Sequence, residues 1–238
     1  MDFSQNLSRK EIKYKIFHKD LGKLYSWLLN SSFKKSFENR SVNSLYYDTP
    51  NLDFAYSNIS GESRRIKLRA RWYGNCDENF FESFSREKQS FKFEIKRKNN
   101  SLSNKIIISK VNYNSKDSIK NRQNNLKKKI SSEILNHPEL FKLMIDDIVF
   151  IGYNREYYEN FISPKIRLTI DKDIVCSKSQ TFSNLKKTNV SINYTIVELK
   201  FFQEDSITVK GIMSNFPFRQ VRSSKYLYSL AKYYRFSY

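Results

Sequence analysis

The sequence predicts an α+β protein built mainly from antiparallel strands, in which a sheet of about eight strands closes or nearly closes into a tunnel flanked by a few helices. Two observations predict this fold. First, apolar residues alternate with Lys, Arg and a few carboxylates in five segments: residues 11–16, 65–72, 91–98, 165–171 and 197–201. Second, the 238 residues include only 5 Gly and 4 Pro and no linker rich in them, which is typical of a single domain over residues 1–238.

The second of these segments shows the clearest alternation. One set of alternate positions is cationic: Arg65, Lys67, Arg69 and Arg71. The other set is apolar: Ile66, Leu68, Ala70 and Trp72. In a strand the two sets point to opposite faces, and a solvated outer face would explain this segment taken alone. Because the pattern occurs in five segments, we favour a water-filled interior lined by the charged faces, with the apolar faces outward under helices.

The other elements follow from periodicity and turn residues. Helices are predicted at residues 20–30, in a short stretch after Pro138 that ends near residue 147, and at residues 224–235. Further strands are predicted at residues 42–47, before a turn at residues 48–50, and at residues 105–110. Residues 99–132 are rich in Asn, Lys and Ser, so we expect them to be the least ordered part.

The net charge of the chain limits the kinds of ligand that it is expected to bind. The net charge is +19 and the isoelectric point is near 9.8, so the ligand is expected to be an anion such as nucleic acid, a phosphorylated metabolite, polyphosphate or an anionic membrane. A hydrophobic fraction of 39% is that of a folded protein and excludes a disordered one.

Cysteine and histidine usage excludes two further classes. Cys76 and Cys176 have no CxxC spacing, and His18 and His137 are far apart in sequence, which argues against a structural zinc site and a disulfide framework. Free thiols fit a reducing compartment. The sequence shows no targeting segment and no apolar run long enough to span a membrane, so a cytoplasmic location is expected.

Eight short motifs lie on predicted strands or at strand ends: residues 11–14, 44–49, 68–74, 93–98, 153–155, 166–171, 197–200 and 221–226. By these motifs and their order, the chain resembles the VTC (vacuolar transporter chaperone) polyphosphate polymerase domain of the triphosphate tunnel metalloenzyme (CYTH-like) superfamily. The resemblance covers nearly the whole chain.

The resemblance implies a β-tunnel that binds ATP and inorganic polyphosphate and transfers the γ-phosphate of ATP to the growing chain with Mn²⁺ or Mg²⁺. It implies catalytic roles for seven cations: Lys13, Arg69, Arg71, Lys96, Arg155, Arg167 and Lys225. It implies substrate binding by four more: Arg65, Lys67, Lys200 and Arg222. Glu198 and Glu11 would hold the metal ion. It also implies a membrane-protein partner, although the chain itself encodes no membrane span.

The chemistry agrees with this resemblance. Phosphoryl transfer needs charge neutralisation and in-line positioning rather than covalent help from the protein, and Arg binds phosphate with two parallel hydrogen bonds. No Ser or Cys nucleophile with a base partner is evident, and a mechanism that depends on His is improbable with two His residues.

One departure from the superfamily separates synthesis from hydrolysis. Its hydrolytic members begin with a Glu-x-Glu-x-Lys strand, whereas this chain has Glu11, Lys13 and Lys15 at those positions. Exchanging a carboxylate for a cation favours holding a long polyanion over activating water, and so favours a polymerase over a triphosphatase or tripolyphosphatase.

Two alternatives from other classes remain. A non-catalytic sensor could bind polyphosphate or nucleotide through the same cations, although a binder has no need of the metal carboxylate Glu198. A nucleic-acid-binding protein would interleave exposed aromatic residues with its cations, whereas here Tyr14, Trp72 and Phe93 fall on the face opposite the charges. We therefore expect no nucleic-acid partner.

Overall fold

The computed structural model describes residues 9–76, 89–99, 102–113, 119–137, 140, 142–179 and 190–234. Within them the chain forms nine strands: β1 (Arg9–Phe17), β2 (Phe33–Asp48), β3 (Arg64–Gly74), β4 (Gln89–Asn99), β5 (Leu102–Tyr113), β6 (Asp146–Asn160), β7 (Arg167–Lys178), β8 (Val190–Ser191) and β9 (Tyr194–Phe202). It also forms five α-helices: α1 (Leu21–Leu29), α2 (Asp53–Ser60), α3 (Ile119–Leu135), α4 (Ser206–Ile212) and α5 (Lys225–Tyr233). None of these described helices is both long and apolar enough to cross a membrane.

The strands form one sheet in the hydrogen-bonded order β1-β9-β7-β6-β2-β3-β4-β5, with β8 paired to β7. Every described pair register is antiparallel, which confirms the predicted fold class. The order ends at β5 without returning to β1, so hydrogen bonds among the described residues do not close the sheet. The enclosed cationic interior stays a prediction.

The chain divides into two compact units, each assembled from separate stretches of sequence. The first unit comprises residues 1–40, 154–174 and 192–223, and the second comprises residues 41–153, 175–191 and 224–238. The strands β2, β6 and β7 contribute residues to both units. Each unit has a hydrophobic core of its own.

In the first unit, α1 covers the apolar sides of β1, β7 and β9. Leu24 and Leu28 of α1 lie one helical turn apart and are buried with side chains such as Ile16, Leu168 and Leu199 from the three strands. The helix predicted at residues 20–30 is therefore confirmed, and it begins at Leu21 after a 3₁₀ turn.

In the second unit, Trp72 is central to the core and fully buried at 0% exposure. Its ring centroid lies 5.3 Å from that of Phe91 and 5.7 Å from that of Phe150. The core also includes Leu126 and Ile130 of α3. The predicted alternation of faces in β3 is thus confirmed on its apolar side.

Within residues 99–132, the described stretches 102–113 and 119–132 are more regular than the sequence predicts. Their predicted short strand is part of β5, and α3 follows in a stretch of mostly polar residues. The helix is stabilised by Leu126, Ile130 and Ile134, which recur every four residues and form one buried stripe. The amino-acid composition of the segment does not reveal an apolar stripe this narrow.

The short helix predicted after Pro138 is wrong for the described residues. Residues 140, 142 and 143 form turns and a bend, residues 144–145 have no regular secondary structure, and β6 begins at Asp146; residues 138, 139 and 141 lie outside the described residues. The β-branched side chains of Ile148 and Val149 suit a pleated, buried surface better than a helix.

Two other predictions near the chain's motifs are confirmed. The strand predicted at residues 42–47 is the second half of the longer β2, and the helix predicted at residues 224–235 is α5. Ser224 caps α5, because its Oγ accepts a hydrogen bond from the Leu227 N–H at 3.4 Å.

Candidate functional site

The polar face of β3 and β4, in the second unit, places cations directly opposite cations. Three facing pairs have the same charge: Arg65 with Lys98, Lys67 with Lys96, and Arg71 with Lys92. The fourth pair is Arg69 with Glu94. Facing side chains in an antiparallel pair are about 5 Å apart at Cβ, so like charges there destabilise the sheet.

The third strand of this face, β5, extends two of these pairs into rows. Lys105 lies opposite Lys96 and completes the first row, Lys67–Lys96–Lys105. Lys110 lies opposite Lys92 and completes the second row, Arg71–Lys92–Lys110. We call these the two cation rows. Six cations with one carboxylate between the rows, Glu94, form a surface suited to a ligand with several negative charges.

Glu94 fixes the orientation of Arg69, the cation that lies between the two rows. Its Oε2 accepts a hydrogen bond from Arg69 Nε at 2.8 Å and lies 2.8 Å from Arg69 Nη2, and its Oε1 lies 2.6 Å from Lys105 Nζ. Burial acts to raise the pKa of the Glu94 carboxyl, but the charges of Arg69 and Arg71 and the hydrogen bond from Lys105 outweigh burial and lower that pKa. Glu94 therefore stays ionised and orients the guanidinium.

Hydroxyl groups of β2 and β6 orient the two arginines of β3. Arg69 Nη1 donates to Tyr46 Oη at 3.2 Å, while Arg71 donates to Ser44 Oγ at 3.3 Å and to Tyr153 Oη at 3.4 Å. Arg71 is only 8% exposed, so it is more enclosed than the solvated position that the alternation predicts. The alternation correctly predicts which face of β3 carries Arg71, but it does not predict the hydroxyl groups that contact Arg71.

The beginning of α5 adds another cation to this face. Lys225 Nζ lies 4.7 Å from the ring centroid of Tyr153, and Lys67 Nζ donates to Ser224 Oγ at 3.2 Å. Burial acts to raise the pKa of the Tyr46 phenol, yet the charges of Arg69, Arg71 and Lys225 lower it. The second unit thus brings together six predicted site residues: Arg65, Lys67, Arg69, Arg71, Lys96 and Lys225.

The polar face of the first unit has a different charge pattern. Across β1 and β9, Glu11 faces Lys200 and Lys13 faces Glu198. Across β9 and β7, Lys200 faces Arg167. Acids and cations therefore alternate here, and the charge is more balanced than on the cation rows.

Glu198 is the centre of this arrangement. Its carboxylate lies 2.9 Å from Lys200 Nζ, 3.6 Å from Lys13 Nζ and 3.6 Å from Arg155 Nη2. Lys13 also lies 3.0 Å from Glu11. Burial acts to lower the pKa of the Lys200 ammonium; the charge of Arg155 acts in the same direction, Glu198 and Glu11 oppose it, and the net pKa is lowered.

Arg155 is fixed by a second carboxylate. Its Nε donates to Asp171 Oδ1 at 2.6 Å and its Nη2 donates to Asp171 Oδ2 at 2.8 Å, a bidentate pair on a fully buried acid. The sequence motifs do not assign a role to Asp171. Its position in the alternation of β7, on the same face as Arg167, is the signal that could have identified it.

The segment before α5 joins β1 beside Lys13. The Val221 N–H donates to the Lys13 carbonyl at 2.8 Å, and Lys13 Nζ donates to the Ser223 carbonyl at 3.2 Å. Arg222 lies between these contacts and is exposed. The first unit thus contains the other predicted site residues: Glu11, Lys13, Arg155, Arg167, Glu198, Lys200 and Arg222.

Three lysines of the cation rows were missed by the sequence motifs: Lys92, Lys105 and Lys110. Lys105 and Lys110 are five positions apart and would point to opposite faces of a regular strand. The register of β4 and β5 shifts between Phe93 and Glu94, and this irregularity lets both lysines face β4 cations. No local sequence pattern indicates such a shift.

The donor set limits how a divalent metal ion could bind. Among the described residues, no group of three or more His, Cys, Asp or Glu side chains is placed to hold a metal ion. Glu198 and Glu11 flank Lys13 as two carboxylates. Mg²⁺ and similar ions bind through one or two carboxylates when phosphate oxygens complete the coordination, so this pair fits a metal ion that arrives with a phosphate ligand.

Two solved structures are similar to this chain in architecture. One is a candidate adenylate cyclase from Vibrio parahaemolyticus, at 11% identity and a TM-score of 0.49, with 93% of this chain and 97% of that chain covered. The other is a candidate adenylyl cyclase from Hippeastrum described as having a dominant triphosphatase activity, at 12% identity and a TM-score of 0.49, with 93% and 95% covered. No curated protein matches the sequence.

The sequence matches the VTC domain family over residues 8–234, which is almost the entire chain. The protein therefore belongs to the VTC domain family, as its eight motifs predict. This membership indicates a protein related to polyphosphate.

Proposed function

We propose that this protein is a polyphosphate polymerase, which transfers the γ-phosphoryl group of ATP to a growing chain of inorganic polyphosphate. Membership of the VTC domain family supports the substrate class. The two cation rows of the second unit are the observation that carries the proposal, because facing like charges are costly unless an anion compensates them. A polyphosphate chain carries repeated negative charge and suits rows of cations better than a single phosphate does.

The residues of the first unit supply a different part of the chemistry. Glu198 and Glu11 are the proposed ligands of Mn²⁺ or Mg²⁺, and a bound metal ion would neutralise charge on the transferring phosphoryl group. Lys13, Arg155 and Lys200 surround Glu198 and are proposed to hold phosphate oxygens. Asp171 keeps the Arg155 fork oriented for that contact.

Lys13 supports synthesis over hydrolysis. It occupies the position at which hydrolytic members of the wider superfamily have a second carboxylate, and it lies between Glu11 and Glu198. A cation there strengthens the hold on a polyanion and removes one ligand that would orient water with the metal ion.

Substrate comparison tests this proposal. Purified protein is incubated with Mn²⁺ and either ATP or tripolyphosphate, and acid-labile polymer, ADP and free phosphate are measured separately. We expect polymer and ADP from ATP. Free phosphate from tripolyphosphate without polymer would instead identify a triphosphatase, and binding of either ligand without any product would identify a non-catalytic sensor.

A further inference from the structure

Asp48, at the end of β2, is a buried carboxylate outside the cation rows. It is 0% exposed. Its Oδ1 accepts hydrogen bonds from the N–H groups of Thr49 at 2.8 Å and Phe54 at 2.9 Å, and its Oδ2 accepts one from the N–H of Ala55 at 3.0 Å. Phe54 and Ala55 belong to the first turn of α2, so the carboxylate is fixed by backbone groups that cannot rotate away.

The fourth donor to Asp48 comes from α5. The Tyr226 hydroxyl donates to Asp48 Oδ2, and Tyr226 is 2% exposed. The ring of Tyr226 is stacked on that of Tyr46, with centroids 4.9 Å apart and planes inclined by 16°. The two rings therefore form a rigid stack anchored at one end by Asp48.

The other side of this stack contacts the candidate site. Tyr46 Oη accepts the hydrogen bond from Arg69 Nη1 at 3.2 Å, and the Arg69 guanidinium lies 6.0 Å from the Tyr46 ring centroid. Tyr226 directly follows Lys225, so its anchor also fixes the backbone that carries that lysine. One continuous set of contacts thus leads from Asp48 to two cations of the site.

We propose that Asp48 and Tyr226 are positioning residues that hold the Tyr46 ring, and through it Arg69, together with the backbone of Lys225, in the orientation that binds phosphate. This inference rests on the proposed function of the face as a polyphosphate-binding surface. Packing of α5 alone does not require a buried carboxylate, because an apolar pair of the same shape fills the space without the cost of removing a charge from water.

A conservative variant with a matched control tests the proposal. Tyr226→Phe retains the stacked ring and removes only the hydroxyl that Asp48 accepts. Tyr158→Phe is the control, because the Tyr158 hydroxyl donates to another buried carboxylate, Glu156, at 2.9 Å in the first unit. Tripolyphosphate binding is measured by calorimetry without metal, and thermal unfolding of each variant is recorded. We expect Tyr226→Phe to lose about tenfold in affinity, which is about 1.4 kcal/mol, and Tyr158→Phe to bind as the wild type does.

A double-mutant cycle separates positioning from a structural role. If Tyr226 acts through Arg69, Tyr226→Phe has a smaller effect on affinity in an Arg69→Ala background, where only its contribution through the backbone of Lys225 remains. An equal loss in both backgrounds, or wild-type affinity in Tyr226→Phe, overturns the inference. If Tyr226→Phe does not fold, Asp48→Asn takes its place, since it retains the size of the side chain and removes the charge that anchors the Tyr226 hydroxyl; it is expected to show the same loss and the same dependence on Arg69.

These outcomes are distinguishable from failure of the proposed function. Tripolyphosphate binding that depends on Tyr226 and Arg69, in a protein that makes no polymer from ATP, supports the positioning role and contradicts the polymerase. Polymer synthesis with unchanged binding in Tyr226→Phe supports the polymerase and contradicts the positioning role. A wild-type protein that does not bind tripolyphosphate contradicts both.

Discussion

Glu198 contacts three cations in this structure. Its proposed role as a metal ligand can be tested by removing its charge. Glu198→Gln retains the size of the side chain and removes the charge that attracts Lys13, Arg155 and Lys200. We expect metal-dependent turnover to be lost while binding of tripolyphosphate without metal is retained or becomes tighter, because the three cations lose a competing anion. Calorimetry with and without Mn²⁺ measures both effects.

The matched control for this prediction is Glu156→Gln. Glu156 is another buried carboxylate of the first unit, and it is paired with Lys172 and with the hydroxyls of Tyr25 and Tyr158. Its variant is expected to lose stability and to retain metal-dependent turnover. Loss of metal-free tripolyphosphate binding in Glu198→Gln would show that Glu198 orients the cations instead of holding the metal ion.

Reversing the charge of Lys13 should weaken polymer synthesis and favour hydrolysis of tripolyphosphate. Lys13→Glu restores the Glu-x-Glu-x-Lys spacing with Glu11 and Lys15, and it places a third carboxylate near Glu11 and Glu198. Polymer synthesis should fall steeply, since these charges lie within a Debye length of about 8–10 Å of one another. Hydrolysis of tripolyphosphate is expected to appear or rise.

Lys10→Glu provides the control on the same strand. It makes the same change in charge at an exposed position one residue from Glu11, and its even-numbered position places it on the opposite face of β1 from Lys13. Synthesis at the wild-type rate in Lys13→Glu, or an equal loss in Lys10→Glu, would mean that the face of β1 has no part in binding the chain.

Sequence alone predicts the residues of the site that belong to regular strands. Period-two alternation places Lys13, Arg69, Lys96 and Glu198 on polar faces, and the described registers pair Lys13 with Glu198 across β1 and β9. Alternation cannot predict side chains that join the site through distant contacts. Asp48 is such a residue, since its partner Tyr226 is far away in sequence.

At the scale of the elements, the cation rows of β3, β4 and β5 predict opposite effects on stability and binding. Lys96 faces Lys67 on one side and Lys105 on the other. Lys96→Met removes both repulsions and should raise the free energy of unfolding of the ligand-free protein at low salt by about 0.2–1 kcal/mol. Tripolyphosphate affinity should fall at the same time. Urea unfolding and calorimetry measure the two quantities.

The control for the rows is Lys128→Met, which makes the same substitution at an exposed position of α3. Neither stability nor affinity should change appreciably there. A Lys96→Met protein that is less stable and binds tripolyphosphate normally would show that the lysines of β4 serve the sheet and not a ligand.

Errors in predicting elements have local physical causes. The polar stretch at residues 99–132 contains β5 and α3 because packing of one narrow apolar stripe outweighs its composition. The predicted short helix is wrong because the chain enters β6 at Asp146. The shifted register of β4 and β5 depends on pairing between strands, which no single segment encodes.

At the scale of the whole molecule, the net charge is +19, and the two compact units arrange their charged residues differently. The second unit has rows of cations with Glu94 between them, whereas the first unit has cations balanced by Glu11, Glu198 and Asp171. The cations proposed to bind polyphosphate in rows therefore belong to the second unit, and the proposed metal ligands, Glu198 and Glu11, belong to the first.

The most direct test of this account follows the γ-phosphate. The protein is incubated with Mn²⁺ and with ATP labelled in either the γ- or the α-phosphate, and polymer, nucleotide and orthophosphate are separated over time. We expect γ-label to enter acid-labile polymer, whose length grows as ATP is consumed, while α-label stays in ADP. Release of γ-label only as orthophosphate, or its retention in ATP, would contradict the account.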